Sequence, residues 1–266
     1  MTSAPLRHDQ TQPIMSVEGL RKSYGSARIL DGIDFVVEKG EFVCIVGPSG
    51  SGKTTLLRCI AGLLAPSGGR TVFEGREVTE PPAKLAVVFQ DYSRSLLPWM
   101  TVEKNVLLPI TGRFPRHELS SRVSTALASV GLAGKEKLYP WQMSGGMQQR
   151  AAIARGLAYN PDVLLMDEPF AAVDAQTRIE LEDLVLRLRD EYNTTILFVT
   201  HDIDEAVYLA DRVLVLSGAP TTVTDDIETD LPTPRDQIDT KQLQRYGEVR
   251  AKVFTLIQNA KSHASI

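Results

Sequence analysis

The chain has 266 residues, 43% hydrophobic and 23% charged, with a net charge of −4. This composition excludes a disordered or collagenous chain, and the charge balance excludes a general polycation built for nucleic acid. Cys44 and Cys59 are too few for a disulfide framework, and no apolar run approaches the roughly 18–20 residues that span a bilayer. Residues 1–13 are rich in Thr, Gln and Pro, lack the apolar core of a signal peptide, and read as a disordered tail. The chain reads as soluble and intracellular, with any membrane role delivered through a partner.

Order is predicted to begin near Ile14. Residues 35–37 and 42–46 are β-branched and aromatic, as in short strands. A glycine-rich segment, 47–52, separates the second of them from a helical stretch, 54–62, that ends at a glycine. Strands are predicted at 71–73 and 86–89, with Glu74-Gly75 as a turn. From about residue 91 to 160 the pattern turns helical. Thr101 precedes a helix with Lys104 and Asn105 on one side and Val106 and Leu107 on the other. Val123, Leu127 and Val130 recur at helical spacing. Strands at 163–166, 195–199 and 212–216 then alternate with helices at 176–191 and 203–210. This alternation implies an α/β fold with a mostly parallel sheet covered on both faces and a helical insertion. Residues 218–239 carry six acids against Arg235 and read as an acidic, proline-extended surface loop. A helix over 241–258 follows, with Leu243, Tyr246, Val253, Leu256 and Ile257 on one apolar face.

Two motifs carry chemistry. Gly47-Pro48-Ser49-Gly50-Ser51-Gly52-Lys53-Thr54 matches GxxxxGK[ST] between a strand and a helix, the context this motif needs. Glycines let backbone N–H groups turn inward around phosphate oxygens, and the helix start adds partial positive charge. Lys53 would reach the β- and γ-phosphates, and Thr54 would ligate Mg²⁺. This defines a nucleoside triphosphate site and leaves kinases, GTPases and ATPases open. Further on, the apolar run 163–166 ends in Asp167 and Glu168, where α/β sheets bind ligands. Asp167 is suited to hold Mg²⁺ through water, and Glu168 to polarise the attacking water. A nucleotide kinase needs no such second carboxylate, and the Asn-Lys-x-Asp run of a GTPase is absent.

Met143-Ser144-Gly145-Gly146-Met147-Gln148-Gln149-Arg150 places an N-capping serine before two glycines whose N–H groups stay accessible at a helix start. The run resembles the signature sequence of ABC-type ATPases and lies between the other two motifs, as it does there. Gln90 stands where that family has its Q-loop glutamine, Ala171-Ala172-Val173-Asp174 is similar to the D-loop, His201 to the switch histidine, and Tyr24 to the aromatic that stacks on adenine. The resemblance covers residues 14–217, with Met143, Met147 and Val173 departing from the commoner residues. It implies a P-loop cassette with a RecA-like parallel core, an antiparallel β subdomain and a helical subdomain over about 91–160. Residues 218–266 would then form an acidic linker and terminal helix.

The resemblance also implies ATP and Mg²⁺ as ligands and a head-to-tail dimer, homodimeric or heterodimeric. Each ATP would lie between one subunit's Tyr24, P-loop and Thr55 and the partner's Ser144, Gly145, Gly146 and Asp174. Thr54, Gln90 and Asp167 would hold the metal. Glu168 would act as general base, assisted by Gln90 and by His201 at the γ-phosphate. Met147, Leu97-Pro98-Trp99 and Leu231-Pro232-Thr233-Pro234-Arg235-Asp236 are similar to importers of nitrate, sulfonates and taurine, although the segment 91–95 is longer than usual there. The implied partners are membrane permease subunits, contacted through residues 90–99, and a separate substrate-binding protein, with no nucleic acid. The implied place is the cytoplasmic face of the membrane, peripherally bound. The alternatives are an exporter or lipid-trafficking ATPase, or a soluble ABC ATPase without transport.

Overall fold

The computed structural model describes residues 12–90 and 95–263. Most of the predicted tail and the segment 91–94 lie outside the described residues. The main sheet has six strands, in the spatial order Val223–Glu228, Arg212–Leu216, Phe42–Val46, Thr195–Val199, Val163–Asp167 and Leu85–Val88. Its centre is β3 (Phe42–Val46), parallel to β8 (Thr195–Val199) on one side and β9 (Arg212–Leu216) on the other. β7 (Val163–Asp167) and β6 (Leu85–Val88) continue the parallel set. Side chains alternate across a strand, so β3 serves two cores at once. Phe42, Cys44 and Val46 enter the core shared with the helical insertion, and Val43 and Ile45 enter the core under the second sheet. Both cysteines are free and buried, and burial raises both thiol pKa values.

The second sheet is antiparallel, ordered β2-β1-β4-β5, with β1 spanning Met15–Tyr24, β2 Ala27–Val37, β4 Gly68–Phe73 and β5 Arg76–Glu77. The first strand and most of the second escaped prediction. Register shifts between Val17 and Leu20 and again near Ser23 break the period-two pattern. Glu74 and Gly75 both take positive φ and close the β4–β5 hairpin as predicted.

The helical insertion contains α2 (Val102–Leu107), α3 (Arg116–Ser129) and α4 (Gly145–Ala158), with α2 and α3 packed on α4. Thr101 caps α2 as expected. Asn105, assigned to the polar side, is instead buried. Its amide takes the Leu97 N–H at 2.7 Å and donates to the carbonyls of Leu97, Met100 and Thr101 at 3.1–3.2 Å. A buried amide is tolerated when its hydrogen bonds are made, and here they hold the 97–101 loop from inside. Leu96 is buried as well, so within residues 96–99 of the expected permease contact only Pro98 and Trp99 are exposed, Trp99 at 70%.

The segment read as an acidic linker contains β10 (Val223–Glu228), antiparallel to β9. Acids carry low strand propensity, but this is an edge strand, where charge blocks further pairing. Asp226 pairs with Arg212 and Asp225 with Lys252. The terminal helix is two helices, α7 (Asp239–Gln242) and α8 (Gln244–His263), broken at the extended Leu243. Leu243 is therefore exposed, while Tyr246, Val249, Val253 and Ile257 are buried.

Candidate functional site

The loop between β3 and α1 (Lys53–Ile60) forms one wall of a cavity of about 580 Å³. Tyr24, Ile29, Ser49, Gly50, Gly52, Lys53, Thr54, Thr55, Glu168 and His201 line it. Gly52 has φ +78°, and a Cβ there would collide with the Ile29 side chain, so the turn needs glycine. Gly47, Pro48 and Ser51 are buried and are not among the lining residues. Lys53 is 6% exposed and donates from Nζ to the Gly47 and Pro48 carbonyls at 3.0 and 3.1 Å. Burial lowers its pKa, opposed by the nearby charges of Glu168 and Asp167.

Asp167 ends β7 and is nearly buried, with Thr54 Oγ1 donating to its Oδ1 at 3.3 Å. Burial raises its carboxyl pKa, and the Thr54 hydrogen bond pulls the other way. Glu168 sits at φ +43°, an uncommon conformation for a non-glycine residue, held by its N–H to the Val199 carbonyl at 2.8 Å. That turn points the carboxylate into the cavity. Its Oε2 accepts from Gln90 Nε2 at 3.2 Å, and His201 Nδ1 stands 3.0 Å from the same oxygen. Three residues predicted from separate motifs thus meet at one atom.

Ser144, Gly145, Gly146 and Asp174 do not line this cavity. Ser144 caps α4, taking the Met147 N–H at 3.3 Å. Asp174 caps α5 (Ala175–Tyr192), taking the Thr177 N–H at 3.0 Å and its hydroxyl at 2.7 Å. These bonds lower the Asp174 pKa. A Cβ on Gly146 would overlap the Thr177 methyl, so the signature helix and the D-loop helix touch through a glycine.

Sequence reasoning missed three supporting residues. Ile29 enters the cavity wall from β2. Thr221 donates from Oγ1 to the Ser51 carbonyl at 2.7 Å and brackets Ile29 and Asp31 through backbone bonds. Arg178 donates to Asp202 Oδ2 at 3.0 Å and lies 3.4 Å from Glu205 Oε1, tying the start of α5 to the residues around His201. Burial pushes the Glu205 carboxyl up to about 7. No local pattern signals these contacts, because the partners are distant in the chain.

A P-loop at the end of a parallel strand, two carboxylates at the end of β7, separated from it by β8, and a separate serine-capped, glycine-opened helix define an ABC-type ATPase. The sequence profile described as ABC transporter matches residues 30–171, and the chain belongs to that family. It is 44% identical over 259 residues to an uncharacterised ABC transporter ATP-binding protein of Methanocaldococcus jannaschii, covering 95% of this chain and 94% of that one. It is 46% identical over 242 residues to an aliphatic sulfonates import ATP-binding protein of Mesorhizobium japonicum, covering 91% and 90%. Among solved structures, it matches the ATP-binding cassette MJ0796, a dimer bound to ADP and Pi. That match has a TM-score of 0.70 and 31% identity, covering 80% of this chain and 98% of that one. The protein is an ATP-binding subunit of an ABC transporter and an ATPase. Among the described residues no helix is long and apolar enough to cross a membrane.

Proposed function

We propose that this subunit powers the import of an aliphatic sulfonate or a closely similar small anion. It would work as a dimer, bound peripherally at the cytoplasmic face to separate permease subunits fed by a substrate-binding protein. The observation that carries the reading is the 41–46% identity to aliphatic sulfonates import proteins over 90–91% of the chain. The test is uptake of a radiolabelled alkanesulfonate by cells lacking this chain and complemented with it. Uptake restored by the wild type and not by Lys53→Ala supports the substrate class. Uptake equal with and without the chain overturns it.

The residues present fit a magnesium–nucleotide ligand. Thr54 and Asp167 place two hard oxygen donors 3.3 Å apart beside the P-loop, the kind of site Mg²⁺ shares with phosphates. Thr54, Asp167 and Gln90 would hold Mg²⁺, which would supply neutralisation of phosphate charge. The P-loop N–H groups through Thr55, with the start of α1, bind phosphate oxygens, and Lys53 turns from the Gly47 and Pro48 carbonyls toward them. Tyr24, half exposed at the cavity, stacks on adenine. Glu168 accepts the attacking water's proton, while Gln90 and His201 orient its carboxylate, and His201 contacts the γ-phosphate. In the dimer, the partner supplies Ser144, Gly145 and Gly146 to the phosphates and brings Asp174 beside them.

The loop held by Asn105 carries the motion to the permease. Trp99→Ala is expected to cut transport several-fold and leave basal ATPase activity and folding intact, because the indole stands clear of the core. Parallel uptake and ATPase measurements read the split. Equal losses in both count against Trp99 as the contact.

A further inference from the structure

The motif 231–236 and the C-terminal helices take no part in the nucleotide cavity, yet they converge on one element. That element is α6 (Ile203–Leu209), a seven-residue helix that begins two residues after His201. At its C-terminal end the Ala210 carbonyl accepts from Thr229 Oγ1 at 2.8 Å and from Arg235 Nη2 at 2.9 Å. The Arg235 side chain is buried, and its Nη1 holds the Pro232 carbonyl at 2.9 Å. Near its N-terminal end, Asp204 is gripped from α8. Arg250 Nε donates to Oδ1 at 2.6 Å, Arg250 Nη2 to Oδ2 at 3.3 Å, and the Tyr246 hydroxyl to Oδ1 at 3.1 Å. Between the ends, Tyr208 donates to Asp183 Oδ1 at 2.7 Å, the same oxygen that accepts from Gln237 Nε2 at 2.8 Å. Val249, Val253 and Ile257 of α8 share an apolar core with Val207 and Leu209.

We infer that residues 229–257 form a clamp that positions His201 through α6, with Arg235, Tyr246 and Arg250 as its positioning residues. The inference rests on the role proposed above for His201. The imidazole is itself largely exposed, so its place follows the backbone on either side of it. Asp202 fuses that backbone to α6, its Oδ1 accepting the N–H groups of Asp204 at 2.8 Å and Glu205 at 3.2 Å. A helix this short has little stability of its own and takes its position from what packs on it. A misplacement of about 1 Å at a reacting centre costs about 10²-fold in rate. A partial release at Asp204 therefore reaches turnover before it reaches nucleotide binding, most of whose proposed contacts come from Tyr24 and the P-loop through Thr55.

The test is steady-state ATPase kinetics on the full chain, with circular dichroism and thermal unfolding as folding controls. Tyr246→Phe combined with Arg250→Ala is expected to lower kcat about tenfold and leave the KM for ATP within about twofold. Restoring a charge at the second position, as Tyr246→Phe with Arg250→Lys, is expected to recover part of the lost turnover. Arg250 and Asp204 are each about half exposed, so the fold should tolerate the change. If the double variant fails to fold, Arg250→Gln alone is read by the same criteria. An unchanged kcat, or a rise in KM matching the fall in kcat, overturns the clamp. A His201→Ala arm separates the two readings. If it turns over ATP like wild type, the role of His201 fails. If it is inactive while the clamp variants keep full kcat, the clamp alone fails.

Discussion

Glu168→Gln is expected to slow ATP hydrolysis by at least about 10²-fold while yielding a dimer that persists in ATP on size-exclusion chromatography. Glutamine keeps the length of glutamate and still offers an oxygen to Gln90 and His201, so the hydrogen bonds at 3.2 and 3.0 Å need not collapse. What it loses is the ability to take the water's proton, a contribution worth about 10²–10⁴-fold. ATP binding should survive, because Lys53, Thr54 and Asp167 are untouched. Loss of a negative charge beside the γ-phosphate also removes repulsion that opposes closure. The dimer should form with ATP and not with ADP. A folded, ATP-saturated Glu168→Gln protein that stays monomeric would falsify the trapped-dimer reading. Adding Ser144→Arg places bulk and a long side chain where the partner's phosphates should lie, so the double variant should be monomeric. A double variant that dimerises as before rules out Ser144 as part of the partner's phosphate site.

Lys53→Ala should weaken nucleotide binding about 10- to 150-fold, the worth of one charge-assisted hydrogen bond to phosphate at about 1.5–3 kcal/mol. The structure adds a second consequence. The ammonium is buried and bonded to two carbonyls, those of Gly47 and Pro48, which the alanine leaves without that donor. The variant should therefore also unfold at a lower temperature, an effect absent if Lys53 merely hung in solvent. Fluorescent-nucleotide titration reads the first effect and thermal unfolding without nucleotide the second. Wild-type affinity in the folded variant would remove Lys53 from the phosphate site.

The chemistry was legible in the sequence wherever its parts are contiguous. Residues 47–54, 163–168 and 143–150 each combine a strand or helix boundary with the side chains the boundary must present. Local rules for glycine turns, buried strands and helix caps suffice to read them. Thr195–Val199 and Arg212–Leu216 were likewise predicted to the residue, because strands buried on both faces are apolar throughout. Where pairing geometry departs from that rule, prediction failed. The bulged β1 lost its alternation, and the acidic β10 is stabilised by its neighbour β9 and by Arg212 and Lys252 more than by its own composition.

Tertiary structure alone decided how the motifs meet. Nothing local places Gln90 and His201, 78 and 33 positions from Glu168, on one carboxylate oxygen. Nothing local predicts that Glu168 reaches it by adopting φ +43°, a conformation maintained by its hydrogen bond to β8. The burial of Asn105 and Leu96, and the convergence of Arg235, Tyr246 and Arg250 on α6, follow from where distant segments pack. Short-range propensities identify which groups are present. Long-range hydrogen bonds and burial, each worth little until the others form, determine which of those groups face the same point in space.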